Sequence, residues 1–194
     1  RATYGGCARP PGENMEQMIA GRTGSTRLTR VSLVCIWLLS AVTPQRIFAN
    51  QIDIAGPPGS VQFGSNVAVL PNGNIVVVDR VGPVSNLGAI HLYSPGGQII
   101  SSVTGSSSGD RVGSGGITVL SNGNFVISSP DWDNGGATDA GAVTWASGET
   151  GIAGTISAAN SLVGTTAGDR IGWPRLAALP NGNYVVCSPY WDGE

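Results

Sequence analysis

Ile117-Thr118-Val119-Leu120-Ser121-Asn122-Gly123-Asn124-Phe125-Val126-Ile127-Ser128-Ser129-Pro130 sets two apolar runs on either side of Asn-Gly. Asn-Gly is the dipeptide best suited to a type I′ hairpin turn, whose two central residues both need φ > 0. The stretch predicts an antiparallel hairpin. The same hairpin reads Val67-Ala68-Val69-Leu70-Pro71-Asn72-Gly73-Asn74-Ile75-Val76-Val77-Val78 upstream. Downstream it reads Leu176-Ala177-Ala178-Leu179-Pro180-Asn181-Gly182-Asn183-Tyr184-Val185-Val186-Cys187. The Asn-Gly-Asn turns lie 50 and 59 residues apart.

Each hairpin has the same neighbours. Phe63-Gly64, Val112-Gly113 and Ile171-Gly172 precede the turns, and Gly109-Asp110-Arg111 and Gly168-Asp169-Arg170 introduce the second and third of these pairs. A third strand is expected at residues 88–93 and 141–145, and a fourth at 98–103 and 151–157. Four short strands per period are the content of one propeller blade. The second strand, Ile75-Val76-Val77-Val78 in one copy and Tyr184-Val185-Val186-Cys187 in another, is apolar at consecutive positions. Such a strand is expected to be buried on both faces, as it would be between neighbouring blades. A β-sandwich would alternate more cleanly and need not repeat as a four-strand unit, and a β-helix would repeat over a shorter coil. The expected fold is all-β: a partial β-propeller of four-stranded antiparallel blades, about two and a half repeats, preceded by a signal helix. The blade units run over residues 60–110, 111–169 and 170–194, the last truncated. Gln51-Ile52-Asp53-Ile54-Ala55-Gly56 reads as an isolated strand, the fourth of a blade whose other strands are missing. With Trp191-Asp192-Gly193-Glu194 ending inside a loop, the chain is expected to be a fragment of a longer protein.

Residues 1–49 are read separately from the repeats at 50–194. Met15 or Met18 is followed by Arg22, Arg27 and Arg30, then by an apolar run from Val31 to Val42. A run that short cannot cross a hydrocarbon core, which needs roughly 20 residues. A basic region before a short apolar segment reads as a secretory signal peptide, cleaved after Ile47-Phe48-Ala49; the alternative is a core helix or amphipathic anchor. Residues 1–14 read as upstream read-through. The expected address is secreted or cell-surface.

The whole chain has a formal net charge of −2, but residues 50–194 hold four arginines, no lysine and ten carboxylates, a net of −6. An acidic, lysine-free surface argues against nucleic acid or anionic membrane as partner, since both bind through clustered Lys and Arg. Cys187 is the one cysteine of this part, so it has no intramolecular disulfide partner there. It takes the strand position of Val78 and Ser128, where a small buried thiol is expected. A catalytic cysteine would need a base, and His91 is the only histidine in the chain.

Phe63-Gly64 with Asn72-Gly73-Asn74, and Val112-Gly113 with Ser128-Ser129-Pro130 and Gly141-Ala142-Val143, resemble the FG-GAP repeats of integrin-α-type propellers. In that pattern a Phe-Gly opens the blade and a Gly-Ala-Pro-like turn follows the second strand; here Ser129-Pro130 and Ser188-Pro189 stand in its place. The wording from Ser129 to Trp145 is similar, more closely, to a repeat of unknown function in large secreted bacterial proteins, including adhesins of the filamentous-haemagglutinin type. The resemblance covers roughly residues 60–194 and implies a bacterial surface or secreted repeat protein, with no catalytic residues to transfer.

The loop Asp131-Trp132-Asp133-Asn134-Gly135-Gly136-Ala137-Thr138-Asp139 offers the best candidate site. Asp131, Asp133, Asn134 and Asp139 could give Ca²⁺ its oxygen ligands. The competing reading is that they make local turn hydrogen bonds to backbone. Only Asp133 recurs in the third copy, as Asp192. Trp132 and Trp191 share a loop position and could stack on sugar rings, or else cover the ends of the core. Gly113-Ser114-Gly115-Gly116 lacks the lysine and helix of a phosphate loop. No cofactor is otherwise expected. The function expected is a non-enzymatic secreted or surface repeat module that binds protein or glycan ligands. The alternatives are a propeller hydrolase or lyase and a glycan-binding propeller.

Overall fold

The computed structural model of the chain describes residues 51–82 and 86–192, and the leader read at residues 1–49 lies outside them. The described residues are all-β, without a helix. The first repeat forms β1 (Phe63–Val69), β2 (Ile75–Asp79), β3 (Ala89–Tyr93) and β4 (Ile99–Thr104), an antiparallel meander. The second forms β5 (Gly116–Val119), β6 (Phe125–Ser129), β7 (Ala142–Ala146), β8 (Gly154–Thr155) and β9 (Ser161–Val163), in which β5, β6, β7 and β9 make the second sheet. The third contributes the hairpin of β10 (Leu176–Ala178) and β11 (Tyr184–Val186).

The hairpin turn differs from the expected type I′. Gly73 has φ 85° but Asn72 is not left-handed. Leu70 N–H reaches Asn74 O at 2.8 Å and Gly73 N–H reaches Leu70 O at 2.9 Å. This is a three-residue loop, a type I turn closed by a left-handed glycine. Pro71 and Pro180 lack the N–H with which a two-residue loop would close, and the copy with Ser121 at that position forms the same three-residue loop. Leu120 and Leu179 close the other two turns in the same way. In all three the first Asn braces the turn, accepting from the backbone N–H of Asn74, Asn124 or Asn183.

The fourth strand of the second repeat also lies elsewhere than expected. Gly154–Thr155 leaves its own sheet and pairs in parallel with Val103 and Thr104 of β4, while Ser161–Val163 pairs with β7. The copies align on Gly105 and Gly164, 59 residues apart, rather than on Gly151. The intervening residues cross back over the first sheet, where Ile156 is buried. Gln51–Gly56, expected as a strand, forms none. It lies across the β3–β4 turn instead, where a Cβ on Gly97 would sit 3.0 Å from Ile52.

The sheets stack face to face. Strand alternation sends Val76, Val78, Ile90 and Leu92 to one face of the first sheet. There they meet Phe125, Ile127, Ala142 and Ala146 of the second in one buried cluster. The opposite face of the second sheet sends Val126 and Val143 against Ile171, Leu176, Tyr184 and Val186 of the third repeat. Val76, Val126 and Ile127 are wholly buried, so the consecutive apolar residues of β2 and β6 serve two faces as the sequence implies. Cys187 departs from expectation: it is exposed. Val78 and Ser128 at its position are covered by the following repeat, and no described residue covers Cys187 in that way.

Candidate functional site

The junctions between repeats carry the polar chemistry, and they recur. Arg111 N–H donates to Asn86 O at 3.0 Å, and 59 residues later Arg170 N–H donates to Asp139 O at 3.1 Å. All four residues are left-handed, with φ between 44° and 58°, and they are the only described non-glycine residues so placed. Side chains rarely adopt that conformation, and Asn and Asp tolerate it better than Arg. The Asp110 carboxylate holds the turn before this junction. Its Oδ2 accepts from the N–H groups of Ser106 (2.6 Å) and Ser107 (2.8 Å), and its Oδ1 from Asp133 N–H (3.1 Å). Asp169 accepts from Thr165 and Thr166 N–H, both at 2.9 Å. The Thr166 N–H, together with Asp192 and Thr165, holds its carboxyl below the usual range against the opposing pull of burial.

The acidic loop is built into the same junction. Asp133 Oδ1 accepts from Asp139 N–H at 2.8 Å, and Asn134 donates to Gly164 O at 2.8 Å. Asp139 pairs with Arg170 at 3.0 Å across the repeat boundary. Three of the four residues read as calcium ligands are thus engaged by protein groups, while Asp131 lies half-exposed beside them. Among the described residues no group of three or more His, Cys, Asp or Glu is arranged to hold a metal. Trp132 sits in the core at 3 % exposure, packed with Ile127 and Ala142, whereas Trp191 is 57 % exposed. The two indoles share a sequence position but not an environment.

Two features escape a reading by motif. His91 Nδ1 lies 2.8 Å from Ser102 Oγ across β3 and β4, and Thr144 Oγ1 lies 2.6 Å from Ser161 Oγ at the same place in the second sheet. Aligning Ser102 with Ser161, 59 residues apart, would have revealed the pair. Burial pushes the His91 pKa down, and the nearby Asp79 carboxylate only partly opposes it. Asp79 substitutes in the first repeat for the loop carboxylate, since Val61 stands where Asp110 and Asp169 would be. Burial alone would raise its pKa, but N–H groups of Gln62 (2.9 Å) and Gly82 (3.0 Å) outweigh that and hold it low. Phe63, His91 and Tyr93 pack ring to ring beside it, centroids 6.0–6.4 Å apart.

At the other end of the sheets the Asn-Gly turns are tied together. Asn72 and Asn74 both donate to Gly148 O, at 2.9 and 2.8 Å, and Gly148 N–H donates to Asn124 at 3.0 Å. Ser121 Oγ donates to Pro180 O at 2.9 Å, which carries the ladder to the third turn.

A protein-family model described as a repeat of unknown function (DUF5650) matches residues 119–173 and again residues 178–194. The two matches begin 59 residues apart, in phase with the structural repeat. No curated protein and no solved structure matches the chain. No helix among the described residues is long and apolar enough to cross a membrane. Over the matched residues the chain is similar to a repeat whose function is not known.

Proposed function

We propose that the stacked sheets are blades of a β-propeller in an exported, non-enzymatic repeat module that serves a larger bacterial protein as a binding or adhesion scaffold. The supporting observation is how the sheets meet. Their first strands come together, β1 beside β5 and β5 beside β10, while their faces pack through equivalent residues. Radial repetition of four-stranded sheets has that geometry. The basic-then-apolar leader supports export. A partner would be a protein or glycan met at the exposed ends, where Trp191 and Tyr190 are more than half exposed.

A hydrolase reading has one observation in its favour, the His91–Ser102 contact with Asp79 nearby. The equivalent Thr144–Ser161 contact has no base, which makes cross-strand pairing the simpler role for both. Expression with the leader intact in a bacterial host tests the export. Product beginning at Asn50 outside the cytoplasm is expected, and full-length product retained in the cytoplasm would contradict it. Binding of that exported product to a panel of glycans and host-matrix proteins tests the scaffold role; ester or glycoside hydrolysis lost in Ser102→Ala would favour the enzyme.

A further inference from the structure

The described residues contain four Asn-Gly pairs, and one is held differently from the rest. In Asn72-Gly73, Asn122-Gly123 and Asn181-Gly182 the glycine N–H donates to Leu70, Leu120 or Leu179 O at 2.9–3.1 Å. The Asn Oδ1 of each pair also accepts from an N–H two residues on, at 3.0–3.2 Å. Asn134-Gly135 opens a two-residue loop instead, in which Asn134 and Ala137 exchange both backbone bonds at 3.0 Å. That closure leaves the Gly135 N–H outside the loop, and among the described residues it has no acceptor. Gly135 is exposed, and a Cβ on it would meet nothing within 4 Å. The side-chain bond of Asn134 runs from Nδ2 to Gly164 O at 2.8 Å, so its Oδ1 is unengaged.

We infer that Asn134-Gly135 is a self-modification site, at which water converts the asparagine to aspartate or isoaspartate. The Gly135 nitrogen gives its proton to solvent and attacks Asn134 Cγ. A Cγ–N bond forms, the Cγ–Nδ2 bond breaks, and Nδ2 leaves as ammonia after taking up a solvent proton. Water then adds to either carbonyl of the cyclic imide. Opening at Cγ restores the original backbone with a side-chain carboxylate, and opening at the main-chain carbonyl routes the backbone through Cβ and Cγ. One water is consumed and one ammonia released, with no oxidation. Glycine suits the step because it has no side chain to crowd the attacking nitrogen. The three turn glycines must first give up a hydrogen bond to expose the same nucleophile. The tie on the leaving nitrogen does not offset this, since Asn72 Nδ2 is likewise bound, to Gly148 O at 2.9 Å. The product carboxylate has no proton to donate to the Gly164 carbonyl, so the acidic loop loses its tie to the residue after β9. This depends neither on ring closure nor on export.

Peptide mapping of the full chain by mass spectrometry, during incubation in mildly alkaline buffer, tests this. The hydrogen bond on each turn glycine should slow conversion there about three- to tenfold relative to Asn134. In urea that unfolds the chain, all four pairs should convert at similar rates, since glycine follows asparagine in each. Equal or faster conversion at Asn72, Asn122 or Asn181 in the folded chain would overturn the inference, as would a lead at Asn134 of the same size in urea. Asn134→Asp, which reproduces the product opened at Cγ, should melt below wild type. An unchanged or higher melt would overturn the loss of the Gly164 tie.

Discussion

His91 Nδ1 sits 2.8 Å from Ser102 Oγ, in the place that Thr144 and Ser161 hold in the next repeat. One copy has a titratable member and the other does not, so acid should act on the first sheet selectively. Burial lowers the His91 pKa below its ordinary value of 6.5. The unfolded chain therefore binds a proton more readily than the folded one as pH falls through that value. Stability from neutral His91 is complete above about pH 7 and declines as the solution is acidified, before Asp79 begins to protonate. Urea unfolding at pH 7.5 and 5.5 should show a lower midpoint at 5.5, and His91→Gln should reduce that difference. A difference unchanged by His91→Gln would refute the assignment.

The turn ladder has a measurable worth. Asn74 is 8 % exposed and shares the Gly148 carbonyl with Asn72. Asn74→Ala should cost about 1 kcal/mol, since a buried carbonyl keeps one donor. Asn72→Ala/Asn74→Ala should cost more than the two single changes together, because only then is the carbonyl left without a side-chain donor. Additive losses would show that the two amides act independently.

Calcium should leave the thermal melt unchanged, because Asp133 and Asp139 already accept from Asp139 N–H and Arg170. The Asp139–Arg170 pair is itself two-fifths exposed, so Asp139→Asn should cost no more than about 1 kcal/mol. A melting temperature that rises at millimolar calcium and no longer does so in Asp133→Asn would restore the metal site.

The two loop indoles should behave oppositely. Trp132→Ala removes a side chain from the shared core and should cost about 3–5 kcal/mol. Trp191→Ala should be within about 0.5 kcal/mol of wild type. Equal effects would mean that the environments were misassigned.

The hairpins were legible because Asn-Gly between apolar runs has one strong meaning, and the stacking was legible from strands apolar at consecutive positions. The turn type was not, since Asn-Gly does not by itself specify whether the loop closes at residue 71 or one residue earlier, and Leu70, Leu120 and Leu179 all close the longer one. The fourth strand of the second repeat was misplaced because Gly151–Ser157 is as apolar as Gln98–Val103, and composition does not show which sheet edge a segment joins. The acidic loop drew attention to its own residues. Its ties to Asp110, Gly164 and Arg170 span up to 31 positions and leave no local signature. Cys187 lies one residue beyond β11, and its exposure depends on a neighbour that its alignment with Val78 and Ser128 cannot supply.

The stacking of repeats is tested most directly by comparing three equivalent glycines. All three have φ between 80° and 91°, so alanine carries the same backbone penalty of about 1 kcal/mol at each. Gly113 and Gly172 also seat against the preceding repeat, whereas Gly64 is open. Urea midpoints at constant m-value should therefore place Gly64→Ala about 1 kcal/mol below wild type, with Gly113→Ala and Gly172→Ala a further 1–3 kcal/mol lower. Equal losses at all three positions would contradict face-to-face stacking of the repeats.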